Sequence, residues 1–308
     1  MTNRTPLLHL LLVGVSAMVL GQQPPAREPV RPPRDVPARA TNLQDQPLFI
    51  QASKAAPDRY KFAVDNKAQF LSTPDGRSFC VLWYPDGTSP DNPPPMIVTL
   101  HGHASWALDE FFLWQPYAAK RKFGILALQW WFGKGETPND YYVPQDMYRI
   151  IDAVLRRQNI PRQSVLVHGF SRGSANIFGL TALDRASRNH FFLLTVANAG
   201  KAGRDFPINQ EIDRGAFGQR PFEGTHWVTC AGAHDPHPDR DGVQGMRDAR
   251  DWVTRHGGTV ELSIEDANGD HGCFHRNPAN VEAALDVFQR LLKDREEEQK
   301  KAVDGGRK

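Results

Sequence analysis

Short apolar runs alternate with longer amphipathic segments through most of the chain, from about residue 78 to residue 293. The short runs predict β-strands at 78–84, 96–100, 125–130, 164–168, 191–197, 226–231 and 259–265. Longer segments with one apolar face predict helices at 110–122, 145–158, 172–186, 243–256 and 279–293. Several of the strands are apolar along nearly their whole length, which is typical of strands buried on both faces. The pattern therefore predicts an α/β fold, with a mostly parallel sheet and helices on both of its faces.

The N-terminal end lacks this pattern. One cation lies within residues 1–4, and an apolar run at 7–20 follows it. The run is short for a membrane span and is followed by a polar, Pro-rich stretch, so we interpret residues 1–21 as a secretory signal peptide. Cleavage is expected near Gly21 or Ala17, and a retained N-terminal anchor is the alternative. The expected location is secreted or periplasmic, without stable membrane insertion after cleavage.

The rest of the chain divides by composition into three further parts. Seven prolines and no apolar period mark the first, and a run of charged residues followed by glycines marks the last. The predicted parts are a Pro-rich disordered linker at 22–47, one folded domain at 48–293 and a charged flexible tail at 294–308.

Charge and cysteine content limit the function classes. The formal net charge is +2 and no basic block occurs, so nucleic acid is not expected as a partner. The three cysteines form no CxxC metal motif, and no cofactor is expected. Cys230 and Cys273 are the pair for a disulfide in an exported protein, and the alternative is that Cys80 and both of these are small buried hydrophobic residues. The sequence does not indicate an oligomeric state.

The strongest chemical signal is the run 165–173, in which an apolar strand leads into Gly169-x-Ser171-x-Gly173 and then into a helix. A strained turn in this context exposes a serine hydroxyl, and side chains at the two glycines would collide across it. Ser171 is therefore predicted to be a nucleophile, and the alternative is that it only caps the helix. The N–H of Arg172 is a predicted oxyanion donor, while its guanidinium is expected to be solvated rather than bound to an anionic substrate group.

A serine nucleophile needs a base, and the base needs an orienting carboxylate. The strand at 226–231 ends in a turn with Asp235 just past it, so Asp235 is the predicted acid, with Asp239 and Asp241 as competitors. The strand at 259–265 leads to a loop that presents His271, the predicted base. His275 is the alternative base. Asp270 is expected to shape the same loop.

The remaining site residues follow earlier strands. After the strand ending at Leu100, Gly102 lets the N–H of His103 face a reacting carbonyl as the second oxyanion donor. His101 and Trp131 are the predicted substrate-binding residues, because both follow strands whose carboxyl ends form the cleft of a parallel sheet. The alternatives are a loop histidine satisfied within the protein and ordinary core packing.

The order Ser171, Asp235, His271, with His101-Gly102 upstream, resembles the α/β-hydrolase superfamily. Within it the chain most resembles the lid-poor esterases and peptidases related to dienelactone hydrolase, prolyl-oligopeptidase-type hydrolases and polyhydroxybutyrate or feruloyl esterases. The resemblance covers about 78–292 and implies an eight-stranded sheet and an acyl-enzyme mechanism. Two departures are a serine where dienelactone hydrolase uses cysteine, and a segment at 200–225 too short for a large cap domain.

The expected function is that of an exported serine hydrolase that cleaves a small or polymer-borne carboxylic ester. A serine peptidase of the prolyl-oligopeptidase type is one alternative, and a non-catalytic exported binding protein on the same fold is another. Residues 237–248 faintly resemble a calcium loop, but histidine stands at its first position and aspartate at its last, so no metal is expected.

Overall fold

The computed structural model describes residues 42–203 and 206–305. The expected signal peptide at 1–21 and residues 22–41 of the expected linker at 22–47 lie outside the described residues. Within the two described ranges, no helix combines the length and apolar character that crossing a membrane requires.

The folded part begins before residue 48, where the sequence pattern set the boundary. A 3-10 turn spans Leu43–Asp45. The side-chain amide of Gln46, which is buried, donates hydrogen bonds to the carbonyl oxygens of Gly76 (2.8 Å) and Ser78 (3.0 Å). The last residues of the expected linker therefore belong to the folded domain, which the prolines and polar residues around them concealed.

One sheet forms the centre of the described structure. Its strands are β1 (Gln69–Ser72), β2 (Phe79–Trp83), β3 (Met96–Leu100), β4 (Gly124–Leu128), β5 (Val165–Phe170), β6 (Phe192–Asn198), β7 (His226–Gly232) and β8 (Thr259–Asp266). Their order across the sheet is β1-β2-β4-β3-β5-β6-β7-β8. The strands from β3 to β8 pair in parallel, and only the β1–β2 and β2–β4 pairings are antiparallel. The predicted α/β class with a mostly parallel sheet is confirmed.

All strands predicted from the sequence form, and their ends shift by no more than two residues. The strand that the pattern missed is β1, which has four residues and none that is buried. It lies at the edge of the sheet and pairs only with β2. So short an exposed strand carries too few alternating positions for a pattern to detect.

Helices flank the sheet. They are α1 (Pro47–Ala55), α2 (Pro57–Asp65), α3 (Ala107–Arg121), α4 (Pro144–Arg157), α5 (Arg172–Ala186), α6 (Pro207–Asp213), α7 (Val243–Arg255), α8 (Cys273–Arg276) and α9 (Pro278–Gly305). The five predicted helices correspond to α3, α4, α5, α7 and α9. The other four have nine residues or fewer, which leaves too few turns to establish a helical period.

The C-terminal segment differs from the expectation of a flexible tail from residue 294 onward. Helix α9 continues to Gly305. The segment is rich in Glu, Lys, Arg and Gln, which favour the helix without burial, and oppositely charged side chains such as Arg290 and Asp294 (3.6 Å) lie one turn apart. The charged residues after position 293 therefore continue the helix instead of forming a flexible tail.

Two apolar clusters lie on opposite faces of the sheet. Val165 and Val167 of β5 belong to the cluster that includes Phe178 of α5. Leu166, which points the other way, belongs to the cluster that includes Phe288 of α9. Because successive side chains of a strand alternate between faces, three consecutive apolar residues at the start of β5 can be buried only if both faces are covered.

A polar cluster is buried beneath the end of β5. The Thr99 hydroxyl donates to the Glu110 carboxylate (2.5 Å), and Nδ1 of His168 lies 2.9 Å from the same hydroxyl and 3.4 Å from that carboxylate. Burial raises the pKa of Glu110, but the hydrogen bond and charge of His168 outweigh it and hold the pKa below its ordinary value. The core therefore contains a partnered carboxylate, and removing its partner would be costly.

We predict that the protein loses stability in mild acid. Burial lowers the pKa of His101 to about 4 and that of His275 to about 3. The unfolded chain binds protons at both positions below about pH 6.5, whereas the folded chain does not, so the free energy of unfolding falls as pH drops through this window. Urea unfolding between pH 7.5 and pH 5 measures the effect.

The matched variants for this test are His275→Phe, which should flatten the pH dependence, and His237→Gln at an exposed position, which should not. An equal slope in wild type and His275→Phe would contradict the prediction.

Candidate active site

A sharp turn at the end of β5 places Ser171 between the strand and α5. Ser171 has φ 54° and ψ −118°, a conformation that residues other than glycine rarely adopt. Its N–H donates to the carbonyl oxygen of Asn198 at the end of β6 (2.9 Å). The strand, turn and helix follow the order that the Gly-x-Ser-x-Gly pattern predicts.

Glycines allow this turn because backbone atoms approach each other closely. A β-carbon on Gly169 would lie 2.5 Å from the carbonyl oxygen of Gly173. A β-carbon on Gly173 would lie 2.6 Å from the carbonyl oxygens of Leu100 and His101. The obstructing atoms are backbone, so no side-chain rotation could relieve the collision.

The Ser171 hydroxyl lies 3.0 Å from Nε2 of His271. This hydroxyl forms no capping hydrogen bond to α5, so Ser171 does not act as a side-chain cap of the helix. His271 belongs to the loop between β8 and α8, and its ring lies 5.0 Å from that of Phe170, centroid to centroid. About a third of the His271 side chain is exposed, so the pair opens to solvent.

Asp235 holds the other side of this imidazole. One carboxylate oxygen lies 2.7 Å from Nδ1 of His271, and the other accepts a hydrogen bond from the N–H of His237 (2.8 Å). The Asp235 side chain is fully buried. With Nδ1–H donating to the carboxylate, Nε2 is left free to accept the proton of the serine hydroxyl.

The alternative base, His275, lies elsewhere. Its ring packs edge-on against Trp114, His168 and Phe274, and its Nε2 is buried without a hydrogen-bond partner among the described residues. The His275 ring is buried and its lowered pKa keeps it neutral. Among the described residues, it forms no hydrogen bond with Ser171.

The alternative acids are also accounted for. Asp239 is exposed. Asp241 is buried and accepts two hydrogen bonds from the guanidinium of Arg240 (2.7 and 2.8 Å). Asp270 pairs with Arg276 and accepts the N–H of Gly272 (2.9 Å), so it shapes the His271 loop as expected.

The loop after β3 passes beside the serine turn. A β-carbon on Gly102 would lie 3.0 Å from the Phe170 ring and 3.5 Å from the β-carbon of Ser171. In the part of the chain that the structure describes, neither the N–H of His103 nor that of Arg172 donates a hydrogen bond. The two N–H groups that were predicted to be oxyanion donors therefore have no hydrogen-bond acceptor among the described residues.

The prediction that His101 binds substrate is wrong. Its side chain is completely buried, Nδ1 lies 2.7 Å from the Gly102 carbonyl oxygen, and Nε2 accepts the N–H of Trp130 (3.4 Å). The ring stacks on Trp130 at 5.4 Å. It is the satisfied loop histidine of the alternative interpretation.

A cleft of about 510 Å³ opens in front of Ser171. The residues that line it are His103, Ser171, Arg172, Ala175, Lys201, Gly203, Phe206, Arg240 and Asp241. Trp131 is not among them. Its indole N–H donates to the Gly135 carbonyl oxygen (2.9 Å) and its ring packs on Trp106 at 5.2 Å, which corrects its predicted place in the substrate wall.

One wall of the cleft is a polar cluster around His103. Nδ1 of His103 lies 2.7 Å from the Tyr141 hydroxyl and 3.4 Å from the Arg172 guanidinium, and Nε2 lies 3.4 Å from Glu136. The Arg172 guanidinium carbon sits 4.0 Å from the centroid of the Tyr141 ring. Stacking on an aromatic face holds the guanidinium in place and leaves its edge available for hydrogen bonds.

Lys201 and Phe206 line the cleft but were not singled out from the sequence. Both follow β6, which ends at Asn198 between β5 and β7. The rule that the carboxyl ends of parallel strands form the cleft applies equally to this strand, and would have pointed to the segment after it.

One group of potential metal ligands occurs within the described ranges. It consists of Asp235, Asp241 and His271, whose candidate ligand atoms lie within 4.8 Å of one another. Two of them are already hydrogen-bonded to each other, and Asp241 is paired with Arg240. Asp239 and Asp248 of the weak calcium-loop pattern do not belong to this group.

Cys230 of β7 and Cys273 at the start of α8 are buried free thiols with their sulfurs 3.7 Å apart. A hydrogen bond from Cys230 lowers the pKa of Cys273, while the same bond and burial raise that of Cys230. The pair chosen from the sequence is thus adjacent and reduced. Cys80 is buried separately in β2.

Comparisons with solved structures identify the fold that carries this site. No protein-family model matches the sequence, and no curated protein matches it. Among solved structures, an esterase from the fungus Rhizomucor miehei matches with a TM-score of 0.56 and 13% identity, over 85% of this chain and 92% of that one. An esterase from the Planctomycetes species Thermogutta terrifontis, with butyrate bound, matches with a TM-score of 0.53 and 15% identity, over 74% and 94%.

A thermostable esterase also matches, with a TM-score of 0.49 and 18% identity over 73% of this chain, and the chain covers 64% of that structure. At such identities the comparison concerns architecture. Together with the strand order, the first two matches confirm the eight-stranded α/β-hydrolase fold that the sequence resemblance implied.

We predict that mild oxidation joins Cys230 to Cys273. An oxidant such as diamide takes two electrons and two protons from the paired thiols, and the sulfurs need to move by less than 2 Å to reach bonding distance. The thiol count of the denatured protein should fall from three to one. Cys273→Ser should prevent the loss and Cys80→Ser should still lose two thiols; equal losses in both variants would contradict the pairing.

Proposed function

We propose that this chain is an exported serine hydrolase that cleaves carboxylic esters, with Ser171 as nucleophile, His271 as base and Asp235 as the acid that orients the base. The proposal rests above all on the continuous hydrogen-bonded line from the Ser171 hydroxyl through His271 to Asp235, at 3.0 and 2.7 Å. These distances are those required for general-base activation of a hydroxyl. Export rests on the composition of residues 1–21 alone.

In the proposed acylation step, Nε2 of His271 takes the hydroxyl proton as Oγ of Ser171 bonds to the ester carbonyl carbon. The carbonyl oxygen becomes an oxyanion, which the N–H groups of His103 and Arg172 stabilise. Arg172 is the first residue of α5, so the positive end of that helix adds to this stabilisation. The C–O bond of the tetrahedral intermediate then breaks, and the alcohol leaves with the proton from His271.

Deacylation repeats these steps with water in place of the serine hydroxyl. His271 takes a proton from water as the oxygen attacks the acyl carbon, and returns it to Oγ of Ser171 as the acid leaves. Asp235 remains ionised throughout. Its buried carboxylate stabilises the imidazolium that forms in each half and fixes which ring nitrogen carries the proton.

Esters are favoured over amides as substrates because the solved structures of similar fold described above are esterases. The cleft is also open, since about a third of the His271 side chain is exposed. Water therefore has direct access to the acyl-enzyme.

We predict that Ser171→Ala abolishes hydrolysis of a short-chain aryl ester while the far-ultraviolet circular dichroism and unfolding midpoint stay close to those of wild type. The loss should be at least about 10³-fold in kcat, because alanine lacks the hydroxyl that forms the acyl-enzyme. Comparison of aryl esters with aminoacyl anilides under the same conditions separates an esterase from a peptidase.

A fluorophosphonate probe supplies the control, since it should label wild type on the peptide containing Ser171 and should not label Ser171→Ala. An unlabelled wild-type protein without ester turnover would favour the non-catalytic binding protein. Wild-type turnover in Ser171→Ala would refute the nucleophile.

We predict that Asp235→Asn lowers kcat by about 10⁴-fold, because the amide can donate to Nδ1 and so favours the wrong tautomer of His271. Asp239→Asn is the matched control in the same loop, since Asp239 is exposed. Steady-state kinetics with one aryl ester compares the two. Similar losses in both variants would show that the loop, rather than the Asp235 carboxylate, is responsible.

A further inference from the structure

The described residues that line the cleft in front of Ser171 carry an excess of positive charge. Arg172, Lys201 and Arg240 contribute three cationic side chains to its lining, and Asp241 contributes one carboxylate. Asp241 is paired with Arg240. A cleft lined by one sign of charge concentrates ligands of the opposite sign.

The three cations differ in how far they are already neutralised. Lys201 lies 3.5 Å from a carboxylate oxygen of Asp248, which is outside the cleft lining. Arg240 makes a two-point contact with Asp241. Arg172 has no carboxylate within 4 Å anywhere in the described part of the chain, although it lies next to the nucleophile in sequence and lines the same cleft.

Arg172 is nonetheless held in one position. Its guanidinium lies against the face of Tyr141, and one of its N–H groups points to Nδ1 of His103 at 3.4 Å. If Nδ1 accepts this bond and that of the Tyr141 hydroxyl, the other ring nitrogen carries its proton toward Glu136 at 3.4 Å. Among the described residues, the wall therefore holds the guanidinium without pairing it with a carboxylate.

We infer that Arg172 binds a carboxylate on the substrate, so that the enzyme prefers esters that carry an additional acidic group near the scissile bond, with Lys201 as a weaker second contact. A guanidinium edge offers parallel N–H groups that match the two oxygens of a carboxylate, and its preorganisation on Tyr141 reduces the entropy lost on binding. The apolar surface of Phe206 and Ala175 completes the same cleft and suits the hydrocarbon part of such a substrate.

This inference rests on the proposed ester hydrolysis and names its substrate class. The acidic group can be on the acyl side or on the alcohol side of the ester, and two pairs of substrates distinguish these. Nitrophenyl hydrogen glutarate is compared with nitrophenyl methyl glutarate, and 4-acetoxybenzoate with methyl 4-acetoxybenzoate. Rates without enzyme are subtracted.

In at least one pair, kcat/KM for the acidic ester should exceed that for its neutral partner by about tenfold, as expected for a charge-assisted hydrogen bond that is partly exposed to solvent. The preference should shrink as KCl is raised from 20 to 500 mM. Arg172→Gln keeps the backbone N–H and should remove most of the preference, and Lys201→Gln should remove less.

Arg188→Gln is the matched control, because Arg188 is exposed just past the far end of the helix that Arg172 begins. It should retain the wild-type preference. If Arg172→Gln does not fold, the salt dependence of wild type and the Lys201→Gln variant decide the question. Equal kcat/KM within both pairs for wild type, or an unchanged preference in Arg172→Gln, overturns the inference while ester hydrolysis stands.

If wild type cleaves no ester, the proposed function fails and binding decides the inference separately. Titration calorimetry then compares glutaric acid monoanilide with its methyl ester on Ser171→Ala. Tighter binding of the acid that is lost with Arg172→Gln supports the carboxylate site, and equal binding overturns it.

Discussion

Backbone packing at the bend around Ser171 is the constraint on which the rest of the site depends. Backbone atoms on both sides of the bend are too close to admit a β-carbon. Gly169 packs against the backbone of Gly173, and Gly200 packs against the carbonyl oxygen of Ser171. The positive φ of Ser171 costs on the order of 1–3 kcal/mol, and this strain persists only because the surrounding structure leaves no alternative. The bond from its N–H to Asn198 and the burial of α5 against the sheet provide that support.

Once the bend is fixed, the sheet supplies the other groups with little further adjustment. β5, β6, β7 and β8 are consecutive neighbours, so the loops that follow them emerge along one edge. Asp235 follows β7 and His271 follows β8, the last two strands of this set, and hydrogen bonds join both residues to the serine that follows β5. The carboxylate of Glu110 and the ring of His168, both buried, share the hydroxyl of Thr99 as a hydrogen-bond partner.

The sequence predicted the sheet and the strand–turn–helix around Ser171 well because both depend on local pattern. Apolar runs on strands buried from both sides are hard to mistake, and a strand, a glycine-flanked serine and a helix together leave few alternatives. Predictions failed where the outcome depended on packing between distant segments. The imidazole of His101 turns inward because Trp130, which lies in a different loop, offers it a ring and an N–H.

Trp131 illustrates the same difficulty from the other direction. A sequence places an aromatic residue near a cleft but does not determine which way its side chain points, and here Trp106 and Gly135 bind it away from the lining. The pattern missed the short edge strand and the short helices because each has too few residues to establish a period. It missed the extension of α9 because the residues there are mostly polar and show no apolar face. The position of the Arg172 guanidinium required knowledge of Tyr141, about thirty residues earlier.

The wall formed by Glu136, His103 and Tyr141 has an implication for how such a protein can diverge. Glu136 and Tyr141 belong to the connection between β4 and α4, which contributes no atom to the hydrogen-bonded line from Ser171 to Asp235. The Tyr141 ring that supports the Arg172 guanidinium is thus encoded in a stretch of chain separate from Ser171, Asp235 and His271. Exchange of this one connection would change how the guanidinium is supported without altering any residue of that hydrogen-bonded line.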